Sequence, residues 1–160
     1  MYIPNVLTRT QFGDPILRKV AQKLSDEEIK SDDIQRLIAG IKHTLVSRKY
    51  GVGLAAPQVG FSVALSVILI RPTPARSDRE HFESVIINPA YKGLGKRVPK
   101  WEGCLSLGTK NSPVFAQAER FERIQATWTD EYGKSHEKLM NGLPAHVFQH
   151  ETDHLNGVCV

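Results

Sequence analysis

An α+β fold is the expectation for this chain, and three features of its sequence carry it. Apolar residues recur at helical spacing in an early segment, β-rich runs occupy the middle, and helical spacing returns near the C-terminus. At 160 residues, with 41% hydrophobic and 24% charged content, the chain can bury one sizeable core, so residues 1–160 are expected to form a single domain. The same composition excludes disordered, collagen-like and coiled-coil classes.

The first helix is read from Asp33, where Ile34, Leu37, Ile38, Ile41 and Leu45 share one face. Ser31 is its expected N-cap, and Arg48, Lys49 and Gly51 close its end. Strands are expected over residues 63–70, 84–87 and 124–129, the second ending at Asn88-Pro89. The third runs into Asp130-Glu131-Tyr132-Gly133, a hairpin-turn sequence. Residues 71–79 are polar and proline-bearing, which predicts a surface loop. Lys92, Lys96, Arg97 and Lys100 are interrupted by Gly93, Gly95 and Pro99, which reads as a solvated loop. From Pro144 the spacing is helical as far as Asn156-Gly157, where glycine suits a left-handed cap.

Charge and targeting signals narrow the partners. Twenty-one Lys and Arg against 17 Asp and Glu leave a scattered +4, too little to imply a specific nucleic-acid partner. The longest apolar stretch, residues 63–70, falls far short of the about 20 residues needed to span a membrane, so no membrane association is expected. Met1-Tyr2-Ile3-Pro4-Asn5 lacks a secretory start, and a cytoplasmic location is expected. Two cysteines, Cys104 and Cys159, make no disulfide framework; as thiols both are available for metal binding or catalysis.

The sharpest signal is His150-Glu151-Thr152-Asp153-His154, an H-E-x-x-H on the expected C-terminal helix. Residues four apart stand above one another on a helix face, so both imidazoles can hold one metal while Glu151 addresses a water as general base. A catalytic metal commonly takes three protein ligands and keeps one position open. Candidates for the third are Cys159, His146 and Cys104. His146 lies eight residues from His154, about 12 Å along a helix, too far to share one ion. Cys159, just past the cap glycine, would have to fold back over the helix. Cys104, in Trp101-Glu102-Gly103-Cys104-Leu105-Ser106, is the better choice because nearby glycine lets backbone approach a metal. Gly51-Val52-Gly53-Leu54-Ala55-Ala56-Pro57-Gln58 formally matches a dinucleotide fingerprint, but it leaves a helix and meets a proline instead of leaving a strand and opening a helix. Its small residues suit backbone packed against a ligand, with Gln58 offering an amide.

Together, Gly51 to Gln58, Glu102-Gly103-Cys104-Leu105-Ser106 and Gln149-His150-Glu151-Thr152-Asp153-His154-Leu155 closely resemble the three motifs of peptide deformylases, in order and spacing. Asp14-Pro15-Ile16-Leu17-Arg18 and Ile87-Asn88-Pro89 resemble flanking parts of that family, so the likeness covers nearly the whole chain. The resemblance implies small mixed, mainly antiparallel sheets packed around a central metal-binding helix. It implies one divalent metal ion per chain, ferrous iron in the cell and replaceable by zinc, nickel or cobalt, held by Cys104, His150 and His154. The implied reaction removes the N-formyl group from the initiator methionine of new polypeptides. Glu151 would take a proton from the attacking water and deliver it to the leaving amine. The side-chain amide of Gln58 and the backbone N–H of Leu105 would stabilise the negative oxygen, and Gly53 would align the peptide through its backbone. Leu143 and Val147 would line a methionine pocket.

Three departures from the family pattern qualify these expectations. The sequence ends soon after Gly157-Val158, where many relatives continue into an extension used for ribosome docking, so ribosome contact, though possible, is doubtful. Gln117 aligns where an arginine often braces the glutamate of the second motif. His146 occupies a position that is more often aliphatic or basic, and is expected at the rim or surface. His43, His81 and His136 match no motif and are expected in solvent. A zincin-like metallopeptidase and a non-catalytic binder of formylated N-termini are the rival readings. The first would not need Cys104 for metal binding, and the second would have no use for Glu151.

Overall fold

The computed structural model describes residues 5–48, 51–74, 81–109 and 112–159. Short α1 (Asp26–Ile29) leads into α2 (Asp32–Val46), followed by β1 (Gly53–Ala55), β2 (Leu65–Ile70), β3 (Phe82–Thr109), β4 (Ser112–Thr129), β5 (Ser135–Asn141) and α3 (Gly142–Leu155). The strands pair in sequence order, β1-β2-β3-β4-β5, and every named pair is antiparallel. This is the expected α+β class, with long β3 and β4 carrying the pairing from one end to the other.

Why the sheet is central follows from β2. Leu65 and Val67 enter the cluster formed with Leu37, Ile38, Ile41 and Leu45 of α2, whereas Ile68 and Ile70 enter the cluster formed with Ala145, Val147 and Phe148 of α3. The strand is therefore apolar on both faces, as its Val-Ile-Leu-rich composition, broken only by the buried Ser66, demands. α2 shows the amphipathic pattern of a covering helix, and the Ser31 hydroxyl accepts from Ile34 N–H at 3.4 Å as its cap. Nine of the 14 residues of α3 are buried, polar ones included, which makes it an interior helix in place of a one-faced surface helix. Gln149 clamps it to β4: its Oε1 accepts from Phe121 N–H and its Nε2 donates to Phe121 O, both at 2.9 Å. Its C-terminus is capped at Gly157, φ +73°, where an added Cβ would stand 2.6 Å from Arg18 O.

Several sequence expectations change. The helix begins at Gly142, two residues before Pro144. The strand expected to end at Asn88-Pro89 continues, because Asn88 adopts φ +49° at a register shift between the 87 and 90 pairings and the ladder then resumes. The basic stretch expected as a loop is also strand: Lys92 pairs with Gln125, Arg97 with Phe121 and Lys100 with Ala118. Its glycine signals mark a bend instead, with Gly95 at φ +81° inside a second register shift. Residues 71–74 are exposed as expected of a loop, and 75–79 lie outside the described residues, as does Lys49. No helix among the described residues is long and apolar enough to cross a membrane.

Candidate active site

Three elements meet at one cavity of about 290 Å³. α3 supplies His150, Glu151 and His154, β3 supplies Cys104, and the 3-10 turn Ala56–Val59 that follows β1 supplies Gln58. Strand alternation on β3 sorts the second motif: Glu102, Cys104 and Ser106 are buried, while Trp101 and Gly103 face outward and are exposed. The ladder's third register shift, between the 103 and 108 pairings, frees the backbone around Leu105 from β4 at this point.

Cys104 Sγ lies 3.3 Å from His154 Nε2, which lies 3.1 Å from His150 Nε2, and the ligand atoms of the three residues are all within 4.8 Å of one another. A thiol and two imidazoles converging so closely suit a borderline divalent cation and make a poor hydrogen-bond network of their own, since both nitrogens and the sulfur point at one spot. The third ligand candidate preferred from sequence is thus in place. His146 does not join the group, and Cys159 Sγ sits 3.9 Å from the far nitrogen of His154, Nδ1.

Glu102 fixes the orientation of His150. Its Oε2 accepts from His150 Nδ1 at 2.8 Å, which directs Nε2 of the same ring toward the centre. Arg120 clamps the carboxylate with two bonds, 2.6 and 2.9 Å, and reaches Asp153 Oδ2 with its remaining terminal nitrogen. Burial would raise the Glu102 pKa, but the hydrogen bonds from Arg120, His146 and His150 outweigh it and hold the carboxyl far below the usual range. Arg120, which sequence reading missed, therefore supplies the arginine brace that Gln117 at the aligned position was expected to lack. Gln117 pairs opposite Trp101 and is exposed. His146, expected at the rim or surface, lines the cavity: its side chain is 18% exposed and its Nε2 lies 2.5 Å from Glu102 Oε1. His43 and His81 are exposed, whereas His136 is half-buried against Asp130 and stacked on Trp128.

Glu151 is 2% exposed, and its Oε2 has no hydrogen-bond partner. Burial raises its pKa, countered in part by the charge of His150 and reinforced by Glu102, to about 7. The two imidazoles diverge. Burial opposes the rise at His150, but Cys104, Glu102 and Glu151 bring it to about 10; burial and the His150 charge lower His154 to about 3. Gly53 of β1 packs so closely on Glu151 that a Cβ there would fall 2.1 Å from Oε1.

Gln58 is held at both ends of its amide. Its Oε1 accepts from Ala55 N–H at 2.8 Å, which sets the amide's direction, and Nε2 faces Cys104 Sγ at 3.4 Å and Ser106 Oγ at 3.2 Å. The segment before the 3-10 turn Pro15–Arg18 straps the same region, with Thr10 N–H donating to Gln58 O, Phe12 N–H to Ser106 O and an Arg9 nitrogen to Leu105 O. Leu105, Leu143 and Val147 line the cavity with Trp101 and Phe115 at its rim. Every site residue expected from sequence is thus at this one place. Arg9, Ser106 and Asp153 are additions that no local spacing signals.

Comparison with known proteins agrees with this geometry. The family model described as polypeptide deformylase matches residues 7–160. A peptide deformylase of Limosilactobacillus reuteri is 37% identical over 170 residues, covering 99% of this chain and 88% of that protein. Among solved structures, a class I type b peptide deformylase of Acinetobacter baumannii with Met-Ala-Ser bound superposes with a TM-score of 0.86 at 32% identity, covering 98% of this chain and 96% of that one. A peptide deformylase of Synechococcus elongatus in complex with actinonin gives 0.80 at 34% identity, covering 99% and 78%. The chain belongs to the polypeptide deformylase family, metal-dependent hydrolases that remove the N-formyl group from nascent polypeptides.

Proposed function

We propose that Cys104, His150 and His154 hold one divalent ion and that Glu151 is the general base for hydrolysis of the formyl group on the initiator methionine, with residues 1–160 as one catalytic domain. The observation that carries this reading is the buried, unpartnered Glu151 Oε2 beside the three converging ligand atoms. Ferrous iron is the proposed ion, with zinc, nickel or cobalt able to replace it, since a thiolate with two imidazoles accepts each. When bound, it supplies Lewis acidity toward the formyl oxygen and acidifies water.

The chain's own groups do the remaining work. With a pKa near 7, Glu151 is poised to accept a proton from the attacking water and to return it to the methionine nitrogen as the C–N bond breaks, yielding formate and a free amine. Gln58, its carbonyl occupied by Ala55, keeps N–H groups for the oxygen that becomes negative, and the backbone N–H of Leu105 is proposed as the partner donor. Gly53 brings β1 backbone against Glu151, where a peptide laid alongside would be aligned. Leu143 and Val147 give an apolar wall suited to the unbranched, adaptable side chain of methionine.

The test is formate release from formyl-Met-Ala-Ser by anaerobically prepared, metal-quantified protein, with Cys104→Ala in parallel. Formate at about one metal per chain in the wild type, with metal and turnover both lost in the variant, is the expected result. Full metal binding by Cys104→Ala would contradict the ligand assignment and favour a site of the zincin type.

A further inference from the structure

Glu102 is held from the cavity side as well as from behind, and the group on that side is His146. The carboxylate stands across two successive turns of α3, with Oε1 on His146 Nε2 and Oε2 on His150 Nδ1. Arg120 bonds both oxygens from the β4 side. His146 and His150 are four residues apart and so share a helix face, which is why one carboxylate can serve both rings. Both rings line the cavity, and His146 does so beside Leu143 and Val147, the two residues of the apolar wall.

We propose that His146 is a positioning residue: by donating from Nε2 to Glu102 Oε1, it fixes the carboxylate that orients the His150 ring, and so ties the substrate cavity wall to the geometry of a metal ligand. This rests on the assignment of His150 as a ligand. Arg120 fixes Glu102 in the plane of its guanidinium, but both of its bonds approach from one side. The His146 bond arrives from α3 itself, so carboxylate and ligand ring are referenced to the same helix. A partner of this kind at a metal centre changes affinity or activity by roughly 10- to 100-fold when removed; one bond further from the metal, an effect near the lower end of that range is expected.

The contact can be separated from simple bulk because two amides mimic the two ring nitrogens. Gln places its N–H near the position of Nε2, whereas Asn reaches only as far as Nδ1. His146→Asn is expected to lower kcat on formyl-Met-Ala-Ser about tenfold with KM within about twofold of wild type. It should also weaken Co(II) binding and shift the thiolate-to-Co(II) absorption band. His146→Gln is expected to restore kcat, Co(II) affinity and the band. A change in KM alone, or Asn and Gln variants that both match wild type in kcat and in the Co(II) spectrum, would overturn the proposal. Should the Asn variant fail to fold, His146→Ala, which only removes atoms at a half-open site, carries the same comparison with Gln. The Co(II) titration requires no turnover, so failure of the positioning role is distinguishable from failure of the deformylase reading, which wild-type formate release tests.

Discussion

At the scale of single residues, the site depends on groups whose ordinary alternatives are closed off. Glu151 keeps one oxygen buried without a partner, a costly arrangement that makes sense only for an atom reserved for something that enters the cavity. Gly53 makes that arrangement possible by leaving no Cβ, since one would stand 2.1 Å from Glu151 Oε1 and 2.7 Å from its Cδ. Gly53→Ala must therefore displace the carboxylate, and misplacement by about 1 Å is expected to lower kcat/KM by about 10²-fold while metal content stays at wild-type level. Steady-state kinetics with metal analysis on the same sample checks this. Unchanged kcat/KM would mean that Glu151 does not act from the position seen here. Glu151 was the most legible of these in the sequence, because the chemistry of H-E-x-x-H follows from its spacing, whereas Gly53 and Gln58 took their expected roles from the family resemblance.

At the scale of elements, the site depends on how β3 and β4 are registered. Arg120 comes opposite Val98, not opposite Glu102, and its long side chain reaches the carboxylate along one face of the ladder, since residues 98 and 102 point the same way. Nothing in the local sequence marks which residue of β4 reaches Glu102, which is why Gln117 at the aligned position was read as a missing arginine, whereas Arg120, three residues on, supplies the brace. The His146 contact was hidden as well, since its partner on β3 lies 44 residues away. Arg120 is 3% exposed, and replacing it with Met would leave Glu102 and Asp153 without their cation. A loss of about 3–5 kcal/mol is expected, read from denaturant midpoints. The β4–β5 turn offers a second test. Burial would raise the Asp130 pKa, but His136 and the Tyr132 and Lys134 N–H groups outweigh it and hold the carboxyl below its ordinary value. A depressed pKa stabilises the fold fully above the unfolded value of about 3.9, and that stabilisation is lost as pH falls from there through the lower folded value. Asp130→Asn should cost about 1 kcal/mol at pH 7, and the gap to wild type should narrow as pH falls through the depressed pKa of Asp130; urea unfolding across the acid range measures it, and a gap that widened in acid would contradict the assignment.

At the scale of the whole molecule, α2 and α3 cover opposite faces of one sheet, and only α3 is interior enough to hold its histidines and glutamate away from water. That division was partly readable: two helices and β-rich runs fixed the class, but β3 was expected as a short strand with a loop after it. Glycine and proline that ordinarily punctuate turns serve here as bends within one long strand, a difference that depends on pairing with β4 and not on the local sequence. The fold thus places a base, a donor amide and three ligand atoms around one cavity, and the central claim is that Glu151 moves the proton without holding the ion. The most direct measurement is formate release by Glu151→Gln beside wild type, with metal counted in both. The account predicts that the variant keeps about one metal per chain and loses roughly 10²- to 10⁴-fold in kcat. A fully metallated variant that released formate at the wild-type rate would contradict it.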